Sequence, residues 1–124
     1  MADRVVDLMT GSVQTTDGST VTIMTYPLPT NCIAIFEYEV RGLSTADDAI
    51  ACLSVSAAKR VTGDAALVGG GGATGYQLSD SGLDGGGTPA QVTATVSGTD
   101  VLIRVRGVAG KTINWTGGLR ILIQ

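Results

Sequence analysis

No histidine occurs in this 124-residue sequence. Histidine is the commonest general base and metal ligand near neutral pH, so Ser/His/Asp and Cys/His catalytic sites are excluded. Aromatic residues are scarce too: one Trp, one Phe and three Tyr. A core must therefore be built mostly from Val, Ile, Leu and Ala. Charge is sparse and slightly acidic, with eight Lys and Arg against eleven Asp and Glu. No basic run exists, and nucleic-acid binders need clustered Lys and Arg, so no nucleic-acid partner is expected. No apolar run approaches the roughly 18 residues of a membrane span. The opening Met1-Ala2-Asp3-Arg4 has none of the apolar core of a secretory signal. The chain is expected to be made and kept in a cytoplasm, or to leave it by lysis. Its two cysteines, Cys32 and Cys52, fall on apolar phases and read as free thiols packed like small hydrophobes. A disulfide would be unusual in that compartment.

Glycine is abundant, at 18 residues, and 44% of the chain is apolar against 15% charged. That balance describes a turn-rich β protein rather than a helical or disordered one. The length suits one domain, large enough to bury a core without metal or disulfide help.

Period-two alternation is clearest at the end of the chain. Ile113, Trp115, Gly117, Leu119, Ile121 and Ile123 share one strand face, and Val101, Ile103 and Val105 share another. A turn at 108–112, with Gly110 suited to positive φ, would close these two segments into a hairpin. Asp17-Gly18 signals a second hairpin, between Leu8–Thr16 and Ser19–Tyr26. Cys32–Gly42 reads as a strand with Cys32, Ala34, Phe36, Tyr38 and Val40 on its apolar face. In Ala49–Val61 the alternation places Ala49, Ala51, Leu53, Val55 and Ala57 inward. Val92, Ala94 and Val96 mark another strand. Trp115, Phe36, Ile113 and Leu119 are the expected core anchors. Residues 1–7 read as an N-terminal arm, and 8–124 as a single β-sandwich domain with a glycine-rich loop at 69–87. Tyr76 and Leu78 could form a brief edge strand within that loop. About eight strands and no helix suggest an all-β, jelly-roll-like sandwich of two four-stranded sheets. Ile33, Ile35, Leu102 and Leu122 are apolar on outward phases, which marks them as a candidate subunit interface.

Chemistry-bearing patterns are weak. Two cysteines without paired spacing do not make a zinc site. Gly107 to Thr112 resembles a phosphate loop, but only two residues separate Gly107 from Gly110-Lys111 where four are needed, and a strand follows. Glu37 and Glu39 share a strand face about 7 Å apart. Paired carboxylates of that kind suit glycosidases, but a solvated or inter-subunit face fits them better. Asp80 and Asp84 lack the regular spacing of a calcium loop. Asn114-Trp115-Thr116 matches a glycosylation acceptor but lies within a strand. No cofactor, metal or catalytic residue is assigned, and the chain is not expected to be an enzyme.

The run Arg104-Val105-Arg106-Gly107-Val108-Ala109-Gly110-Lys111-Thr112-Ile113-Asn114-Trp115 resembles a segment of structural proteins of tailed bacteriophages. The alternating Val92–Asp100 segment and the opening Leu8–Tyr26 look like the same type of domain. The resemblance implies a virion structural protein assembled in a host cytoplasm. It implies a capsid decoration (cement) protein, in the form of a homo-oligomer, a trimer first and a dimer second, bound to the major capsid protein across subunit junctions. The arm residues Ala2, Asp3, Arg4, Val5, Val6 and Asp7, with Gly70, Gly71, Tyr76 and Leu78 of the glycine-rich loop, would make these contacts. The alternative is a tail-fibre or receptor-binding module that presents the loop to a host surface glycan. A cellular carbohydrate-binding sandwich fits less well, since the pattern puts the single Trp in the core.

Overall fold

A computed structural model describes residues 5–70 and 74–124. The order is β1 (Val5–Thr15), β2 (Thr20–Pro27), β3 (Cys32–Ser44), β4 (Ala49–Arg60), β5 (Ala66–Leu67), β6 (Thr74–Ser79), β7 (Gln91–Ser97), β8 (Asp100–Arg106) and β9 (Ile113–Ile123). Single 3₁₀ turns lie at Val68–Gly70, Ser81–Leu83 and Gly85–Gly87. The expected all-β sandwich is present, with all its strand pairs antiparallel.

The partition is six plus three rather than four plus four. The large sheet runs β1-β9-β3-β4, with β5 and β6 both pairing along the far side of β4. The small sheet runs β2-β8-β7. The uneven split follows from β5 and β6, which both add to the far side of β4, while the tight β3–β4 connection keeps those two strands in one ladder. There the Ser44 hydroxyl accepts from the N–H groups of Ala46 and Asp48, and Asp47 takes a positive φ of 67°.

Neither expected hairpin forms a ladder of its own. β1 pairs with β9 over eleven consecutive residues, while β2 pairs with β8. Asp17-Gly18 is therefore a corner between sheets. Neither residue has the positive φ of a two-residue hairpin turn, and the Asp17 carboxylate instead accepts from Ser19 N–H. The 108–112 turn likewise carries the chain from β8 in the small sheet to β9 in the large one. Gly110 does take φ 75° there.

The core lies between the sheets. Trp115, Phe36, Ile113 and Leu119 are all buried, with Val101, Ile103 and Val105 facing them from the small sheet. The indole N–H of Trp115 donates to Thr15 Oγ1 at 2.9 Å, so the ring's one polar atom is satisfied. Gly42 makes room for the ring: a Cβ there would lie 2.9 Å from Trp115, Ile113 and Ile50 side-chain carbons.

One inward assignment reverses. In β4, Ile50, Cys52, Ser56 and Ala58 are buried, while Ala49, Ala51, Leu53 and Val55 are exposed and Ala57 is half-buried. Register with β3 decides this. Tyr38 opposes Ser54 and Phe36 opposes Ser56, and directly opposed residues share a sheet face. The aromatic face of β3 goes to the core and takes the serines of β4 with it. In β2, a register shift between Thr22 and Met24 breaks the alternation, so Ile23 and Met24 are both buried.

Candidate functional site: the outer face of the large sheet

The reversed phase of β4 builds an unusual surface. Across the outer face, opposed residues form rows that run from β1 through β9 and β3 to β4. One row reads Val6, Leu122, Ile35 and Ala57; the next reads Leu8, Arg120, Glu37 and Val55. Then come Thr10, Gly118, Glu39 and Leu53, with Tyr76 of β6 beside Leu53, and Ser12, Thr116, Arg41 and Ala51, with Leu78 beside Ala51. Leu8 is 79% exposed, Tyr76 79%, Leu78 73% and Leu53 51%. Solvated antiparallel sheets normally carry polar residues on such a face. Large apolar side chains gathered on one face mark association.

Charge occupies the middle of this face in compensated form. Arg120 lies 3.6 Å from Glu37, and Arg41 lies 3.8 Å from Glu39. Both pairs are exposed, so each contributes at most about 1 kcal/mol. Each of the two carboxylates thus has a guanidinium beside it on the same face. Gly118, lacking a side chain, leaves a shallow depression of about 270 Å³ among Leu8, Thr10, Glu37, Glu39, Leu53 and Arg120. A second, of about 230 Å³, lies between Arg41, Glu39, Leu53, Tyr76 and Leu78.

The candidate interface residues separate. Ile33, Ile35 and Leu122 line one pocket at the end of this face. Leu102 belongs to β8 of the small sheet, between Thr25 and Thr95, so it is not part of that patch. Its neighbours explain the difference: the outer side of the small sheet is threonine-rich and carries Arg104. Of the candidate contact residues, Ala2, Asp3, Arg4 and Gly71 lie outside the described residues. Val5, Val6 and Asp7 belong to β1 rather than to an arm, because β9 is long enough to pair with them. Gly70 ends a 3₁₀ turn. Tyr76 and Leu78 lie in a six-residue strand and project onto the outer face.

The other polar candidates have structural partners. Asp80 Oδ2 accepts from Ala49 N–H at 2.8 Å, which anchors β6 to the start of β4. Lys111 Nζ lies 3.4 Å from Asp48 Oδ2, as a turn residue would. Asn114 Oδ1 accepts from Gln14 Nε2 at 2.9 Å. Both cysteines are free, Cys52 buried and Cys32 half-buried, and burial pushes both thiols above their ordinary range. The exposed set of Leu8, Leu53 and Val55 was absent from the candidate residues. Its signal is Glu37 and Glu39: if they face solvent, so do their cross-strand partners Val55 and Leu53.

No protein-family model matches this chain, and no curated protein matches it.

Proposed function

We propose that this protein is a virion structural protein, a capsid decoration or cement protein, that works by adhesion through the outer face of its large sheet. The observation that carries the reading is the apolar population of that face, from Val6 and Leu8 at one edge to Tyr76 and Leu78 at the other. Four strands about 36 Å long or more and one about 20 Å long, spaced about 4.8 Å apart, present on the order of 800 Å². That is about the area each partner contributes to a stable interface. The paired charges at the centre offer hydrogen-bonding groups without a net field. The partner is the major capsid protein, gripped across subunit junctions in the assembled head, and the resemblance of the Arg104–Trp115 segment to phage structural proteins supports that choice.

The test is co-sedimentation with assembled heads lacking this protein. The wild-type chain should bind and raise resistance to heat and low-salt shock. Leu53→Lys should lose binding, and Thr95→Lys on the small sheet should keep it. Heads equally resistant without the protein, or equal binding by both variants, would remove the proposal. A second reading, a tail-fibre module for a surface glycan, draws on the exposed Tyr76 ring beside Arg41 and Glu39. Glycan binding by the isolated chain, abolished by Tyr76→Ala, together with no affinity for heads, would favour it.

A further inference from the structure

We propose that the open edge of β1 is a self-assembly site, where β1 of a second copy pairs antiparallel about a two-fold axis. The two large sheets then join into one continuous sheet. The argument starts from how the other edges are treated. Natural sheets blunt their edges with bulges, prolines, shortness or covering groups. β2 has a register shift between Thr22 and Met24 and ends at Pro27. The edge of β7 is met by Gln77 of β6, whose side chain accepts from Val92 N–H and donates to the Ala90 carbonyl. β5 has two residues and β6 has six.

β1 has none of these devices. It is eleven residues long, contains no Pro, Lys or Arg, and pairs with β9 without a bulge. In an antiparallel ladder about half of those residues turn both main-chain groups away from the existing partner. Among the described residues, no backbone hydrogen bond satisfies them on the open side. Its only charge, Asp7, accepts a 2.7 Å hydrogen bond from the Tyr26 hydroxyl of β2. It is thus engaged with the sandwich rather than guarding the edge. Leu8, on this strand, is 79% exposed, and a strand added alongside would cover it.

A second copy is the occupant that fits. An extended partner must match about 36 Å of strand, and β1 matches itself over its full length. With one acidic residue per strand, antiparallel self-pairing centred on Met9, Thr10 or Gly11 sets no two charges opposite each other. Isologous contacts of this kind generate closed dimers. The outer faces of the two copies then form one wider surface, whatever that surface binds.

Light scattering and single-cysteine scanning of the full chain test this. Wild-type protein at about 100 μM should show twice the 12.6 kDa chain mass. Leu8→Lys should be monomeric and should unfold at the same temperature as wild type diluted until it too is monomeric, since Leu8 lies outside the core. In a Cys32→Ser background, with Cys52 buried, cysteines placed singly at Leu8, Thr10 and Ser12 should give a disulfide-linked dimer at the site nearest the axis. A monomer or trimer, a dimer that survives Leu8→Lys, or cross-linking only through Glu39→Cys, as face-to-face stacking requires, would overturn the proposal. Head binding is scored separately, so loss of either property does not decide the other.

Discussion

The hydrogen bond between Trp115 and Thr15 joins the two largest commitments of this fold, and Thr15→Val measures it. Valine keeps the β-branched shape but replaces Oγ1 with a methyl group. The indole N–H, 2.9 Å from that oxygen, would be left without its acceptor in a site where Trp115 is 1% exposed. Stranding a buried donor costs about 1–3 kcal/mol. For a domain of this size that lowers Tm by about 3–10 °C. Relaxation is restricted on the other side of the threonine. A Cβ on Gly107 would come within 2.5 Å of Thr15 Oγ1, so the backbone of Gly107 hems in this residue. The assay is chemical denaturation of four proteins: wild type, Thr15→Val, Trp115→Phe and the double variant. In the Trp115→Phe background no donor remains, so Thr15→Val should cost little, and the cycle should return most of the coupling. Thr15→Ser should retain the bond and lose only a methyl contribution. A Thr15→Val variant within 0.5 kcal/mol of wild type on this scale, or an equal cost with and without the indole, would refute the reasoning.

Gly42→Ala should destabilise by about 1–3 kcal/mol, because the new methyl meets three core side chains at 2.9 Å and a packed interior yields little; an unchanged denaturation midpoint would show that the Trp115 pocket is slack. Stability should fall in alkali. Burial, aided by Asp7, raises the Tyr26 hydroxyl above its ordinary value, and burial also raises Tyr38 and Cys52. A raised folded-state value means that the native state holds its proton longer, so this stability is complete below the ordinary value and is lost as pH climbs past it. Denaturation midpoints should hold from pH 6 to about 8 and then decline, most steeply above about 10, and Tyr26→Phe should flatten the upper part. Lys111→Met should cost under about 1 kcal/mol despite the Asp48 contact, since the pair is partly solvated; a larger loss would make that contact a main anchor of the β8–β9 crossover.

The all-β class and the identity of the core were legible because alternation is a local signal. Ile113 to Ile123 and Val101 to Val105 need no knowledge of partners to declare their buried faces. Strand partnership was not legible, because it depends on which ladder is longest. Asp17-Gly18 carries a strong hairpin signal, yet eleven pairs with β9 outweigh what a local β1–β2 ladder offers. β4 shows the same limit at the level of side chains. Ala49, Ala51, Leu53 and Val55 form an apolar set on one phase, and Ile50 and Cys52 begin a set on the other. Local hydrophobicity nearly balances, so β3 decides. Phe36, Tyr38 and Val40 cannot leave the core, and their register sends Leu53 and Val55 outward. That choice places apolar side chains where water would otherwise lie. The apolar outer face is therefore a consequence of a core contest settled in the neighbouring strand. Removing apolarity from the outward phase of β4, with Leu53→Ser, should leave the fold intact if Tyr38 governs the register, since Leu53 is exposed and Ser54 stays bonded to the Tyr38 hydroxyl. It should also remove apolar surface from the outer face, so the head binding we propose should weaken while the denaturation midpoint stays near wild type. A collapse of stability instead would mean that β4, not β3, fixes which face is buried.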